Sequence, residues 1–176
     1  TNWGIRVGHG ERAGNDYRTG DSLSMPTSYN SSDWDLALGW DLSPYQRVDF
    51  TLLRLDQTDV EFPGQMFDMR FLVTDAYALE YVNDCPEFSD RIEAEGWYNH
   101  TRFAGDNLAA GKRRQIPALD GTLTIPVGPP PIPPLSVDTA LNGSTDVDAM
   151  STGYSTSATW ECAHCGHFKL GSDLRF

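Results

Sequence analysis

One stretch of this chain carries the residue types of a metal site. Cys162-Ala163-His164-Cys165-Gly166-His167 spaces two thiols as Cys-x-x-Cys with imidazoles close by, a set able to put two thiolates and an imidazole on one zinc ion. The same spacing suits a local disulfide between Cys162 and Cys165, or an ordinary turn whose thiols stay free. Because Gly166 follows Cys165, it is not the Cys-x-x-Cys-His signature of haem attachment. With Cys85 the chain has three cysteines, an odd number and too few for a disulfide scaffold. The expectation is therefore no bound metal and no cofactor.

Paired carboxylates are the second candidate chemistry, since two held on either side of a bond can act as general acid and base. Glu80, Glu93, Glu95 and Asp75 fall on what read as the polar faces of strands, where charge serves equally to line a wet interior. The sequence has no Ser-His-Asp order, no Gly-rich phosphate loop and no His-Glu-x-x-His helix. No catalytic residue is assigned, and the chain does not read as an enzyme. Its net charge of -12, with Lys112-Arg113-Arg114 as the one short basic run, excludes a nucleic-acid partner, which would need a concentrated basic face.

The elements that carry these residues are strands. From Trp34 to Leu42 the side chains alternate: Trp34, Leu36, Leu38, Trp40 and Leu42 on one face, Asp35, Ala37, Gly39 and Asp41 on the other. Trp3, Ile5 and Val7 alternate with Gly4, Arg6 and Gly8. Val48, Phe50 and Leu52 alternate with Arg47, Asp49 and Thr51, and a phase slip at Leu52-Leu53 reads as a bulge. Four further runs follow, around Tyr77 to Tyr81, Ile92 to Tyr98, Tyr154 to Trp160 and Phe168 to Phe176. The count is seven long strands in an all-β, antiparallel, up-and-down arrangement.

Connections between the strands read as alternately short and long. The short ones lie near Ser43 to Gln46, Asn83 to Phe88 and Cys162 to His167; the long ones run from about Glu11 to Asp33, Asp59 to Phe71 and Phe103 to Thr152. That order suits a transmembrane β-barrel with tight periplasmic turns and longer outer loops, the last of them, 103–152, rich in proline. Ile125 to Pro134 holds six of the eleven prolines, which cannot donate ladder hydrogen bonds and so belong outside the sheet. Trp3, Trp34, Trp40, Trp97 and Trp160, with tyrosines near strand ends, suit an aromatic girdle at the lipid boundary, while Tyr17 or Tyr29 in a loop is placed to meet a ligand. Seven strands do not close a barrel of the usual even-stranded kind, so 1–176 reads as part of a larger one.

Several segments, in order, resemble the barrel of TonB-dependent receptors, closest to those of the planctomycete type. They are Asn15-Asp16-Tyr17-Arg18-Thr19-Gly20-Asp21, Ser28-Tyr29-Asn30, Leu38-Gly39-Trp40-Asp41-Leu42-Ser43-Pro44, and Arg54 to Gly64 with Phe67-Asp68 and Leu72-Val73-Thr74-Asp75. Gly96-Trp97-Tyr98-Asn99, Thr101-Arg102-Phe103 and Leu170-Gly171-Ser172-Asp173-Leu174-Arg175-Phe176 continue the likeness. The resemblance implies an outer-membrane barrel of about 22 strands around an N-terminal plug. It further implies import of a siderophore, cobalamin, haem or glycan class of nutrient, bound by outer loops and plug apices and released by the TonB complex acting on the plug. Plug and TonB box are both missing from this stretch. Phe176 resembles the terminal aromatic by which barrel proteins are recognised for assembly, although the family pattern continues past it. A soluble β-sandwich binding module, for carbohydrate or another ligand, and a small porin-like barrel are the alternatives.

Overall fold

Strict alternation makes long strands, and a strand with one apolar and one polar face pairs edge to edge with others of its kind. The structure, a computed structural model, describes residues 2–65, 67–84, 86–109, 122–125, 135–138, 142–162 and 166–176. Eleven strands form: β1 (Asn2–Gly14), β2 (Tyr17–Arg18), β3 (Ser24–Met25), β4 (Tyr29–Ser43), β5 (Gln46–Val60), β6 (Asp68–Asn83), β7 (Arg91–Asp106), β8 (Thr122–Ile125), β9 (Leu135–Asp138), β10 (Ser144–Cys162) and β11 (Gly166–Arg175). Seven of them build one antiparallel sheet in the order β1-β4-β5-β6-β7-β10-β11, a meander in which each long strand pairs with the next. The hairpins β2-β3 and β8-β9 stand apart from it. The seven-strand expectation holds.

Register fixes the faces. In one row Ile5, Leu38, Phe50, Leu79, Gly96, Tyr154 and Leu174 follow one another across the sheet; the next row toward the long loops runs Val7, Leu36, Leu52, Tyr77, Tyr98 and Thr152. The opposite face runs Gly4, Gly39, Asp49, Glu80, Glu95, Ser155 and Asp173. One wall is thus aliphatic and aromatic, the other charged and small.

No core lies between layers. Met69 and Ala104 are the only buried hydrophobic residues among those described, whereas Trp3, Ile5, Leu79, Leu170 and Phe168 are each more than half exposed on the apolar face. The accessible surface is 12178 Å², against about 8,500 Å² for a compact protein of this mass. A soluble domain would have folded this sheet over a second layer.

Three readings of the sequence change. The pairing of β5 with β4 and β6 runs unbroken through Leu52 and Leu53, so Leu53 joins the polar face and no bulge forms there; irregular register occurs instead at Asp41/Ser43 and Met69/Phe71. Strands also outrun their hydrophobic pattern: β5 reaches Val60, β6 starts at Asp68, and β10 starts at Ser144, eight residues before Thr152. Backbone pairing continues there although Arg54, Asp56, Asp75, Asp146 and Asp148 occupy the positions that were apolar lower down. As a result the connection 61–67 is no longer than 84–90, and the marked contrast rests on 44–45 and 163–165 against 15–28 and 107–143. Most of the proline tract lies outside the described residues.

Glycine on the polar face makes room for charge. A Cβ at Gly39 would lie 2.7 Å from an Arg47 guanidinium nitrogen and 2.9 Å from an Asp49 oxygen, whereas one at Gly4 would meet nothing within 4 Å. Gly39→Val should therefore displace the flexible, half-exposed Arg47-Asp49 pair and cost up to about 1 kcal/mol, the range of an exposed ion pair, while Gly4→Val should be close to neutral. Urea midpoints of the two variants in detergent check this; equal shifts would refute it.

Candidate functional site

The polar wall is an ordered lattice of ion pairs. Residues two apart on a strand, or facing across a strand pair, share a face. Arg6 therefore meets Asp35 at 3.3 Å and Arg12 meets Asp33 at 3.1 Å. Arg47 bridges Asp49 at 2.5 Å and Asp41 at 3.5 Å. Near the short turns Glu93 is a hub, accepting from Arg91 at 2.9 Å, Lys169 at 2.8 Å and Ser157 at 3.2 Å. Glu80 and Glu95 face each other across β6 and β7. Such pairs are largely exposed and each contributes little stability, so what they supply is a wettable surface of fixed charge pattern.

Of the four carboxylates singled out from the sequence, Glu80, Glu93 and Glu95 stand on this wall. Asp75 does not. It shares the apolar face with Tyr77, Leu79 and Tyr81, at its long-loop margin, where it pairs with Arg54 at 2.9 Å and Arg102 at 3.8 Å. Beside it His100 meets Asp148 at 2.6 Å. These charges mark the level at which the apolar belt ends. Trp3, Trp34, Trp40 and Trp160 lie on the apolar face as expected, with His9 stacked on Trp34 at 4.0 Å between ring centres. Trp97 is the exception: it lies on the polar wall over Gly153, with the Arg175 guanidinium 5.7 Å from its ring. Its odd position beside Glu93 and Glu95 already carried that signal. Side chains of the Cys162–Cys165 cluster lie outside the described residues, and among those described no group of three His, Cys, Asp or Glu is placed to hold a metal.

The long-loop end carries a second ordered feature, one that sequence reasoning missed. Residues 15–28 fold on themselves through β2 and β3: Ser22 N donates to Thr19 O, Thr19 N to Leu23 O, and Tyr17 N to Thr27 Oγ1. Asp16 accepts from Thr27 N and Ser24 Oγ, both at 3.3 Å. This unit is clasped to the turn after β5, where Ser28 N and Oγ donate to Glu61 Oε2 at 3.3 and 2.8 Å and Glu61 N returns a bond to Ser28 O at 2.9 Å. Tyr17 and Leu23 stay exposed on it. Ser22 (φ 68°) and Asp59 (φ 53°) are the two non-glycine residues in the left-handed region among those described; Ser22 lies in this unit and Asp59 near the end of β5, two residues before Glu61. Each such residue costs on the order of 1–3 kcal/mol and persists where its surroundings hold it.

Comparison with known proteins decides the architecture. No family model and no curated protein sequence matches the chain. Among solved structures, the chain matches one titled "Copper transporter OprC" with a TM-score of 0.67 at 18% identity, over 98% of this chain and 24% of that one. The fold is that of part of a TonB-dependent receptor barrel. This chain thus spans about a quarter of the length of that transporter, and the structure it resembles belongs to no enzyme family.

The amide of Thr27 holds the Asp16 carboxyl below the usual carboxylate range, with smaller help from Glu61, Ser24 and Ser28. The stabilisation this gives is complete above the ordinary Asp value of about 4 and is lost as pH falls through the depressed one. Amide exchange at Thr27 should thus stay protected, beyond the intrinsic pH dependence, down to that range and open below it. Asp16→Asn should abolish the pH step, and a step that survives the substitution would exclude Asp16 as its source.

Proposed function

We propose that this chain is a wall segment of an outer-membrane importer whose transport is driven through TonB. The observation that carries the reading is the sheet itself: seven long paired strands with a bare apolar face, a charged opposite face and no core, in the arrangement of a TonB-dependent receptor barrel. The apolar face meets outer-membrane lipid. The ion-pair wall lines the lumen, the short turns 44–45, 84–90 and 163–165 face the periplasm, and 15–28, 61–67 and 107–143 face outward. The Pro-rich part of the 103–152 stretch, Ile125 to Pro134, belongs to the last of these outer loops, since 103–106 and 144–152 are strand.

On this reading β1 and β11 are joined to further strands of a longer parent, since open edges in hydrocarbon would leave backbone groups unsatisfied. The plug that fills the lumen and contacts the TonB complex belongs to that parent as well. The cargo is a nutrient too large or too scarce for diffusion, of the siderophore, cobalamin, haem or glycan class, met first by the outer loops. The solved structure's title specifies copper for that protein; nothing on the described strands favours copper over an organic cargo.

The reading is tested by refolding the chain from urea with and without detergent micelles, following far-UV circular dichroism and heat-modifiable gel mobility. Ordered β-structure should require the amphiphile, and without it the chain should aggregate through its edges. A monomeric β-protein in buffer alone would replace the importer with a soluble binding module. In the full-length parent, Leu79→Arg on the apolar face should cost about 2–4 kcal/mol if the position lies near the bilayer midplane, with Glu80→Arg next to it tolerated. Reversed sensitivities in a urea titration in lipid would invert the assignment of the faces.

A further inference from the structure

We infer that residues 15–28 form a strap at the mouth of the barrel, latched by Glu61 and sprung toward release by the strained backbone beside it. This rests on the proposed function only in placing the unit at the mouth.

Three observations converge. First, the loop is a body in its own right: the bonds among Asp16, Tyr17, Thr19, Ser22, Leu23, Ser24 and Thr27 are internal to it and would travel with it. A loop closed by its own contacts moves as a piece. Second, the body is bonded to the neighbouring turn at Ser28 and Glu61, where three bonds are made between two residues 33 apart in sequence. The Glu61 carboxylate accepts two of these bonds, and charge-assisted bonds of that kind are strong enough to act as a latch where half-buried. Third, the latch is opposed. Asp59, two residues before Glu61, holds φ 53°, and the register between β5 and β6 skips it between Thr58 and Val60. Aspartate tolerates that region better than most residues but still gains by leaving it, since Gly alone occupies it without steric cost. A strong bond set against stored strain gives two positions close in free energy, the condition for a switch rather than a fixed loop. Released, the strap would carry exposed Tyr17 and Leu23 as a unit across the outer opening.

The test is amide hydrogen exchange on the full-length parent protein in detergent, read in peptides covering 15–28, 59–65 and the β5 interior 48–56. Glu61→Ala should raise exchange at Tyr17, Thr27 and Ser28 together, about tenfold or more, with 48–56 unchanged. Asp59→Gly should lower exchange at the same amides, because it removes the strain and leaves the latch. Ser28→Ala, which keeps the carboxylate, should give an intermediate rise. If Glu61→Ala affects only its own turn, or if Asp59→Gly raises exchange or leaves it unaltered, there is no sprung latch. Exchange is read without any cargo, so failure of the import reading, seen as folding without amphiphile, is a separate result.

Discussion

Every backbone N–H and C=O that sits in hydrocarbon must be satisfied within the protein, because no water is there to do it. The rest of this structure follows from that constraint. Long strands paired in an unbroken meander satisfy it along the belt, and the pairing has to be regular where the outer face is apolar. Irregular register occurs at Asp41/Ser43, near a short turn, and at Met69/Phe71, near the long-loop end. Both lie beyond the rows that carry Leu38, Phe50 and Leu79. Irregularity is confined to levels where water can take the bonds that the ladder gives up.

Once the ladder is fixed, side chains have little left to do for cohesion. A soluble sheet gains most of its stability by burying one face; here that face is left bare, and in the proposed outer-membrane setting lipid substitutes for a second layer. The polar wall is freed from packing and can be composed for charge. It combines small residues, Gly4, Gly8, Gly39, Ala37, Ala76 and Ala78, with salt-bridged pairs that lie flat over them, as Arg47 and Asp49 lie over Gly39. Two chemistries are therefore separated by one backbone thickness, and a shift of one residue in register would exchange them.

The sequence showed this where alternation was strong and hid it elsewhere for a physical reason. Trp34 to Leu42 can only be a two-faced strand, and seven such runs gave the number and order of the long strands. Where the strands leave the belt, the formerly apolar positions turn polar at Arg54, Asp56 and Asp75 while Leu53, Leu55 and Leu72 fall on the opposite face, so the period loses its phase although backbone pairing continues through Asp56, Asp75 and Asp148. Loops consequently looked longer than they are, and Asp75 was assigned to the wet wall on its charge although its odd position placed it with Tyr77 and Leu79. Trp97 failed the opposite way: its aromaticity suggested the girdle, whereas its parity with Glu93 and Glu95 put it on the inner wall. Position in the alternation is the better guide than residue character near either margin.

The rim clasp was not legible at all, because nothing in the spacing of Ser28 and Glu61 announces a contact between residues on different loops. Its signal is geometric. Ser22 holds a left-handed φ within bonds internal to its own loop, and Asp59 holds one two residues from the clasp at Glu61. Above the apolar belt residues 15–28 pack on no core, and short backbone pairings together with hydrogen bonds to the Asp16 and Glu61 carboxylates give them their shape. They are weaker than a ladder and more easily undone, and that gives the outer end a freedom that the belt cannot have.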